Sequence, residues 1–506
     1  MSFLERAGAV HAARLAVVDG DRRYTYGEWR DRSRCFAHAL RGLGIEHGDR
    51  VAFLALNSEE LLLAHFAVPQ AGGVLVAINV RLTPREVALI VEHSGSRLLF
   101  FSPELAGQVA GVAPTVRRVE LGPQFEELLA AGSAGPVESW LEGEGDVCAI
   151  DYTSGTTGQP KGVMYHHRGA YLNAAGLVLE MGLRPGCICL WTLPMFHCNG
   201  WSHTWAQVAA GTTNVCIPRI DPPEVWRLLE THAVTHFNAA PTVLIMLAGD
   251  RTARRLDRRV RVCTGGAPPS PTLIAQMDAF NIELVHLYGL TESYGPFSRN
   301  IAPPELAGWP VEDQARYRAR QGVPHVTAGR MRVVDGDMRD VPDDGLTLGE
   351  VVLRGNVVMK GYFRDPDGTG QAFAGGWFHT GDLGVQHPDG TLELRDRKKD
   401  IVISGGENIS TIEVEQAVMS HPSVLEAAVI AVPDSRWGEV PKAFVTVRQG
   451  RTVTAEEIIE HCRSRLAHFK CPKHVAFGEL PRTSTGKIQK YLLREGEWSG
   501  REGRIN

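Results

Sequence analysis

Residues 153–162 read TSGTTGQPKG, directly after the apolar run VCAIDY at 147–152. Four hydroxyls, three glycines and a lysine share these ten positions. A turn needs only one or two glycines, so a stretch this dense in small hydrogen-bonding groups has something to wrap around. A Walker A loop would need G-x-x-x-x-G-K-[ST] running into a helix. Here Gln159 and Pro160 separate Gly158 from Lys161, no hydroxyl follows the lysine, and GVMYHH reads as a strand. The nucleotide-triphosphatase loop is excluded, but its physics is not. Glycines let a backbone approach closely, and amides, hydroxyls and one ammonium together can surround a polyphosphate.

On either side the chain alternates helix-like and strand-like segments. GEWRDRSRCFAHALRGLG, SEELLLAHFAVPQAG and TPREVALIVEHSG carry helical spacing, and RVAFLAL, VLVAINV and RLLFFS are short apolar strands. The alternation predicts α/β architecture with mainly parallel sheets. It resumes from His166 to about Gly295, with PPEVWRLLETHAV before THFNAA and SPTLIAQMDAFN before IELVHLYG. From Gly322 to Gly390, short strands broken by Gly, Pro and Asp turns predict a small β-barrel or sandwich. Charge density jumps at RDRKKD, and a compact α+β tail of ordinary domain size follows. The expected division is 1–397 and 398–506. A chain of 506 residues is in any case longer than one core usually supports.

The formal net charge of −5 gives no sign of nucleic acid or an anionic membrane as partner. Glu5 and Arg6 interrupt what a signal peptide would keep apolar. The most apolar long stretch carries His65, Pro69, Gln70 and Asn79, which argues against a membrane span. The ending GRIN is not a peroxisomal address, so a cytoplasmic enzyme is expected. The nine cysteines are scattered without zinc-ribbon spacing and predict reduced, mostly buried thiols. Cys187 and Cys189 suit a strand. Lysine is scarce: only Lys161 and Lys360 precede Arg397, while seven lie beyond it. A chain that otherwise uses arginine keeps lysine where a compact, mobile point charge is needed.

DYTSGTTGQPKGV resembles the phosphate loop of the adenylate-forming superfamily, which comprises acyl-CoA synthetases, peptide-synthetase adenylation domains and luciferases. Further motifs of that family follow in order: GGAPPS at 265–270, YGLTES at 288–293, GWFHTGDLG at 376–384, RDRKKDIVISGGENIS at 395–410 and PRTSTGKIQK at 481–490. The resemblance runs from about residue 10 to about residue 495. It implies a large N-terminal domain of two α/β subdomains and a small β-barrel, with a smaller mobile α+β domain after it. It also implies ATP and coenzyme A as co-substrates, with Mg²⁺ as the metal.

The resemblance assigns roles motif by motif. Thr153, Ser154, Gly155, Thr156, Thr157, Gly158 and Lys161 would hold the β- and γ-phosphates. Gly265, Gly266 and Ala267 would line one face of the adenine, with Tyr288 and Gly289 on the other. Thr291 would bind phosphate and Glu292 the metal. Asp382 and Arg397 would bind the ribose hydroxyls, and Lys487 would reach the substrate carboxylate and the α-phosphate. His197 would stand between the acyl pocket and the thiol channel. Lys399 would be the hinge about which the small domain turns, bringing Ser404, Gly405 and Gly406 to the pantetheine path. The expected acyl pocket comprises His197, Trp201, Trp205, Phe237, Asn238, Gly265, Tyr294 and Gly295.

Asn238 stands where amino-acid-activating relatives carry an aspartate. A buried ammonium would lack a partner there, so an apolar or aromatic carboxylic acid is expected. GGENIS and MFHCNGW look most like medium-chain or aryl acyl-CoA synthetases. Three readings stay open at this point. They are an acid:CoA ligase, an acyl-AMP ligase serving a carrier protein or partner enzyme, and an inactive homologue that only binds. The oligomeric state is not readable, and a homodimer is not excluded.

Overall fold

The computed structural model of the chain describes residues 2–153, 160–266, 269–397, 400–404, 407–434, 436–482 and 488–498. Two α/β layers form the larger part. In the first, a seven-stranded sheet runs in the order Gly361–Tyr362, Lys161–His166, Val147–Thr153, Val74–Ala77, Arg50–Leu54, Leu98–Phe101 and Arg117–Glu120. Its inner neighbours pair in parallel. Val147–Thr153 and Lys161–His166 are antiparallel and bring Thr153 opposite Lys161. The segment that opened the sequence reading therefore leaves and re-enters the sheet at adjacent points.

A nine-stranded sheet forms the second layer. At its centre Ile188–Trp191, His236–Asn238, Val260–Thr264 and Ile282–Leu290 run parallel. Helices cover the crossovers, and their starts are written in the sequence. Asp221 caps Pro222–Thr231 and Ser270 caps Pro271–Ala279, each followed by a proline at the first helical turn. Thr83 and Glu86 close a reciprocal capping box on Pro84–Ser94. The helix Glu59–Gln70 lies between the layers. It is apolar on almost every face because nearly all of it is buried.

The turn-rich stretch forms a four-stranded antiparallel sheet of Arg330–Val334, Gly349–Arg354, Phe378–Gln386 and Leu392–Arg397. After Arg397 the strands join a different, five-stranded sheet, built on the long hairpin Val424–Asp434 and Gly438–Val447. The helices Thr411–Met419 and Ala455–Arg463 close a separate apolar core over it. Lys490–Trp498 packs against Val424–Asp434. Among the described residues no helix is long and apolar enough to cross a membrane. All nine cysteines are free thiols, eight of them buried.

Candidate active site

Strand ends and the turns after them gather the motif residues. Ile282–Leu290 delivers Tyr288 and, through the short turn Thr291–Ser293, Thr291 and Glu292. Phe378–Gln386 delivers Asp382, and Leu392–Arg397 pairs Arg397 directly opposite it. The Tyr288 hydroxyl donates to Asp382 Oδ2 at 2.9 Å, and Arg397 Nε lies 3.1 Å from Asp382 Oδ1. Burial and the neighbouring Asp382 charge push the Tyr288 phenol well above its ordinary range. Asp382 holds Arg397 firmly cationic. Three motifs drawn from positions 288 to 397 thus share one polar cluster.

Glu292 sits beside it. Its Oε1 accepts the Tyr362 hydroxyl at 2.9 Å, and its carbonyl accepts the Met359 N–H at 2.8 Å. Burial raises the Glu292 carboxyl above the usual carboxylate range against the opposing pull of that hydroxyl. A buried carboxylate oxygen of this kind suits a hard divalent cation. No group of three or more potential ligands occurs among the described residues, so phosphate oxygens and water would have to supply most of a metal's coordination.

Thr291 accepts the Cys198 thiol at 3.4 Å on its hydroxyl and the Tyr165 hydroxyl at 2.6 Å on its carbonyl. Lys161 stands over the Tyr362 ring, 4.6 Å from its centroid and 3.8 Å from Asp365 Oδ2. Tyr362 therefore touches both the lysine and the glutamate. Gly289 lies where the chain passes so near Gly295 that a Cβ would meet its carbonyl oxygen at 1.8 Å. Gly266 adopts φ +83°, a conformation open to glycine.

The expected acyl residues separate into two groups. Trp201 packs on Gly295, whose Cβ would fall 2.9 Å from Trp201 Cα, and its ring end lies 3.4 Å from the Cβ position of Gly265. His197 begins the turn that leads to Trp201. Asn238 is buried, and its carbonyl accepts the Thr192 hydroxyl. Phe237 lies in the core with Trp226, Leu244 and Val262. Trp205 donates its indole N–H to the His65 carbonyl at 3.2 Å, also in the core. Tyr294 is set otherwise than expected. It is fully buried and stacked on Tyr165 with ring centroids 4.0 Å apart, and its hydroxyl accepts the His166 N–H. Its positive φ of 63° turns the ring back into the protein, against the spot left open by Gly169. Ser404 is buried on the strand Val402–Ser404. Residues 154–158, Ala267, Lys399, Gly405, Gly406 and Lys487 lie outside the described residues.

The turn after His197 was not legible in the sequence. Cys198, Asn199, Gly200, Trp201 and Ser202 all take positive φ, between 49° and 61°. Trp201 N–H bonds back to the His197 carbonyl and Ser202 N–H to that of Cys198, so this is one turn of left-handed helix. Each non-glycine residue in that conformation costs roughly 1–2 kcal/mol, and such strain collects at functional sites. Gly200 is the one position where a side chain could not fit, because a Cβ there would meet the Trp191 ring at 2.5 Å.

Comparison with known proteins agrees with this geometry. Residues 4–363 match the family model of the AMP-binding enzyme, and residues 413–487 match that of the AMP-binding enzyme C-terminal domain. The chain is 43% identical to 4-hydroxybutyrate–CoA ligase 2 of Metallosphaera sedula, over 97% of this chain and 93% of that one. It is 42% identical to 2-methylpropanoate–CoA ligase CCL4 of Humulus lupulus, over 98% and 94%. Among solved structures it resembles the anthranilate CoA ligase AuaEII in complex with anthranoyl-AMP. That match has a TM-score of 0.87 and 26% identity, over 98% of this chain and 96% of that one.

Proposed function

The chain belongs to the AMP-binding enzyme family and is an AMP-forming acid:CoA ligase, and from that premise we propose that it activates a small apolar or aromatic carboxylic acid. The convergence of Tyr288, Thr291, Glu292, Asp382 and Arg397 on one cluster carries this reading. Trp201 walls the space beside Gly265 and Gly295 with a large flat apolar side chain. Relatives named for 4-hydroxybutyrate, 2-methylpropanoate and anthranilate support a small acid. Buried Asn238 is neutral and offers an amino acid's ammonium no counter-charge.

A carboxylate is a poor electrophile because its carbonyl carbon bears a full negative charge beside it. In the first step an oxygen of the acid attacks the α-phosphorus of ATP, the bond to the β-phosphate oxygen breaks, and pyrophosphate leaves. Two anions meet, so the protein's work is positioning and charge neutralisation. Thr153 and Lys161, with residues 154–158, hold the distal phosphates. Tyr288 faces the adenine opposite Gly265, Gly266 and Ala267. Asp382 and Arg397 take the ribose, and Lys487 takes the α-phosphate and the acid. Glu292 is the residue that would hold Mg²⁺, whose positive charge when bound would offset that of the phosphates.

In the second step the CoA sulfur attacks the acyl carbonyl, AMP leaves, and a thioester forms. For this the small domain turns about Lys399, which withdraws Lys487 and brings Ser404, Gly405 and Gly406 to the thiol path. We set the division at 397/398 and the enzyme in the cytoplasm. Pyrophosphate release with a panel of acids tests the reading. Four-carbon and benzoate-sized acids are expected to give the highest kcat/KM, and AMP release is expected to require CoA. No ATP cleavage with any acid of the panel would remove it. Lys487→Ala is expected to lower pyrophosphate exchange by about 10²-fold, while thioester formation from supplied acyl-AMP falls far less. Equal losses in the two assays would refute domain alternation.

A further inference from the structure

Asp151 is a carboxylate in an otherwise apolar strand, two residues before Thr153, where the phosphate loop begins. Only 3% of it is exposed. Among the described residues no cation is paired with it. Instead both of its oxygens face a single residue 48 positions away. Oδ2 accepts the Asn199 side-chain amide at 2.5 Å, and Oδ1 accepts the Asn199 backbone N–H at 3.3 Å. Burial pushes the Asp151 carboxyl up to about 8 even against these two donors. A buried carboxyl whose side-chain hydrogen bonds run to one asparagine has a task at that asparagine.

Asn199 is the second residue of the left-handed turn 198–202. The turn's own hydrogen bonds run along the chain, so its fixing points come from outside it. Thr204 holds the Asn199 carbonyl at 3.0 Å, Ser202 holds the Tyr294 carbonyl at 2.8 Å, and Asp151 clamps the middle. One end of the turn carries Cys198 to Thr291, and the other carries Trp201 to Gly265 and Gly295. The strand that opens the phosphate loop is thereby bonded to the turn that positions the wall of the acid pocket.

We propose that Asp151 is a positioning residue for the organic acid: by gripping Asn199 through two hydrogen bonds it holds the left-handed turn that presents Trp201 and His197 to the substrate. The inference rests on the acid:CoA ligase reading above. It assigns the pair to acid recognition and not to ATP, because Thr153 and Lys161 are already fixed opposite each other by the strand ladder. Replacement of either partner therefore acts on one substrate. Asp151→Asn sets an amide N–H₂ against a donor. Asn199→Gly keeps the left-handed backbone at no steric cost and removes the buried side-chain amide together with its bond to Asp151.

The test is steady-state pyrophosphate release by the full-length enzyme with its best acid, together with ATP binding by calorimetry. Loss of a hydrogen bond to a buried carboxylate is expected to raise the KM for the acid about tenfold or more in both single variants, with the ATP KM changed less than about twofold. The double variant is expected to be no worse than either single one, since the two side chains act as one unit. An Asn199→Gly enzyme with wild-type acid KM would overturn the proposal, because the backbone alone would then suffice. Loss of ATP affinity in Asn199→Gly, or a uniform fall in kcat with both KM values unchanged, would overturn it too, since the pair would then serve the fold alone. A wild-type enzyme inactive on every acid would instead remove the ligase reading beneath it.

Discussion

Asp396 and Arg397 are neighbours on one strand, and they face different parts of the molecule. Strand alternation sends the Arg397 guanidinium to Asp382 and the Tyr288 cluster. It sends the Asp396 carboxylate the other way, to the N–H of Thr411 at the start of the helix Thr411–Met419. A helix N-terminus favours an anion, and burial nevertheless raises the Asp396 carboxyl above its ordinary range. Around it Lys490 lies 2.8 Å from Glu415 and donates to the Thr411 hydroxyl at 2.6 Å, while Arg494 pairs with Asp400. The Arg397 side chain is 36% exposed, against 15% for Lys490. The first cluster can exchange partners with a ligand. The second is closed on itself and holds the helix Lys490–Trp498 beside the strand Leu392–Arg397 and the start of Thr411–Met419.

Four experiments press on that difference. The largest effect is expected from Lys490→Ala, which leaves Glu415 and Asp396 without their cation in a largely buried setting. A loss of about 3 kcal/mol in the stability of the C-terminal unit is expected, read by denaturant unfolding. A change under about 1 kcal/mol would show the cluster to be a solvated surface network. Arg397→Gln is expected to cost about 10²-fold in pyrophosphate exchange, or about 2.7 kcal/mol of transition-state stabilisation, with little change in unfolding midpoint. Were stability to fall and exchange to survive, the roles of the two neighbours would have to be swapped. Asp396→Asn keeps the shape and loses the charge. About 1–2 kcal/mol of stability is expected to go, with exchange within about threefold of wild type.

The smallest effect is on the pH profile. Burial lowers His65, His167, His203, His286 and His325 to about 4. Below about pH 6.5 the unfolded chain takes up protons that these folded histidines refuse, so stability is expected to fall as pH drops from 6.5 toward 4. Asp151 works in the opposite sense. It binds its proton more tightly in the folded state, so it costs stability as pH rises toward about 8. The Tm of Asp151→Asn, followed from pH 5 to 8, is expected to climb relative to that of the wild type as pH rises, because the variant keeps the histidine slope and loses the opposing one. Parallel curves would mean that Asp151 titrates alike in both states.

Much of this was readable because the chemistry is local in sequence. Helix-like spacing announced the helices Pro84–Ser94, Pro222–Thr231 and Pro271–Ala279. The glycine-rich run between VCAIDY and GVMYHH fell between two paired strands, as its composition required. Long-range partners were not readable. Tyr362, which bridges Lys161 and Glu292, lies in a stretch with no motif of its own. Asp151 passed unremarked inside the run VCAIDY, and its partner Asn199 lies 48 positions away. Tyr294 follows the YGLTES motif directly, yet one left-handed residue turns its ring into the core.

The order and spacing of short motifs determined the family to which this protein belongs, because each motif is a few residues contiguous in the chain. Tertiary structure decided what holds those motifs in place: Arg397 on Asp382, Asp396 on a helix end, Asp151 on a strained turn 48 residues away. Such pairs depend on how layers pack, and neither side-chain periodicity nor local propensity carries that information.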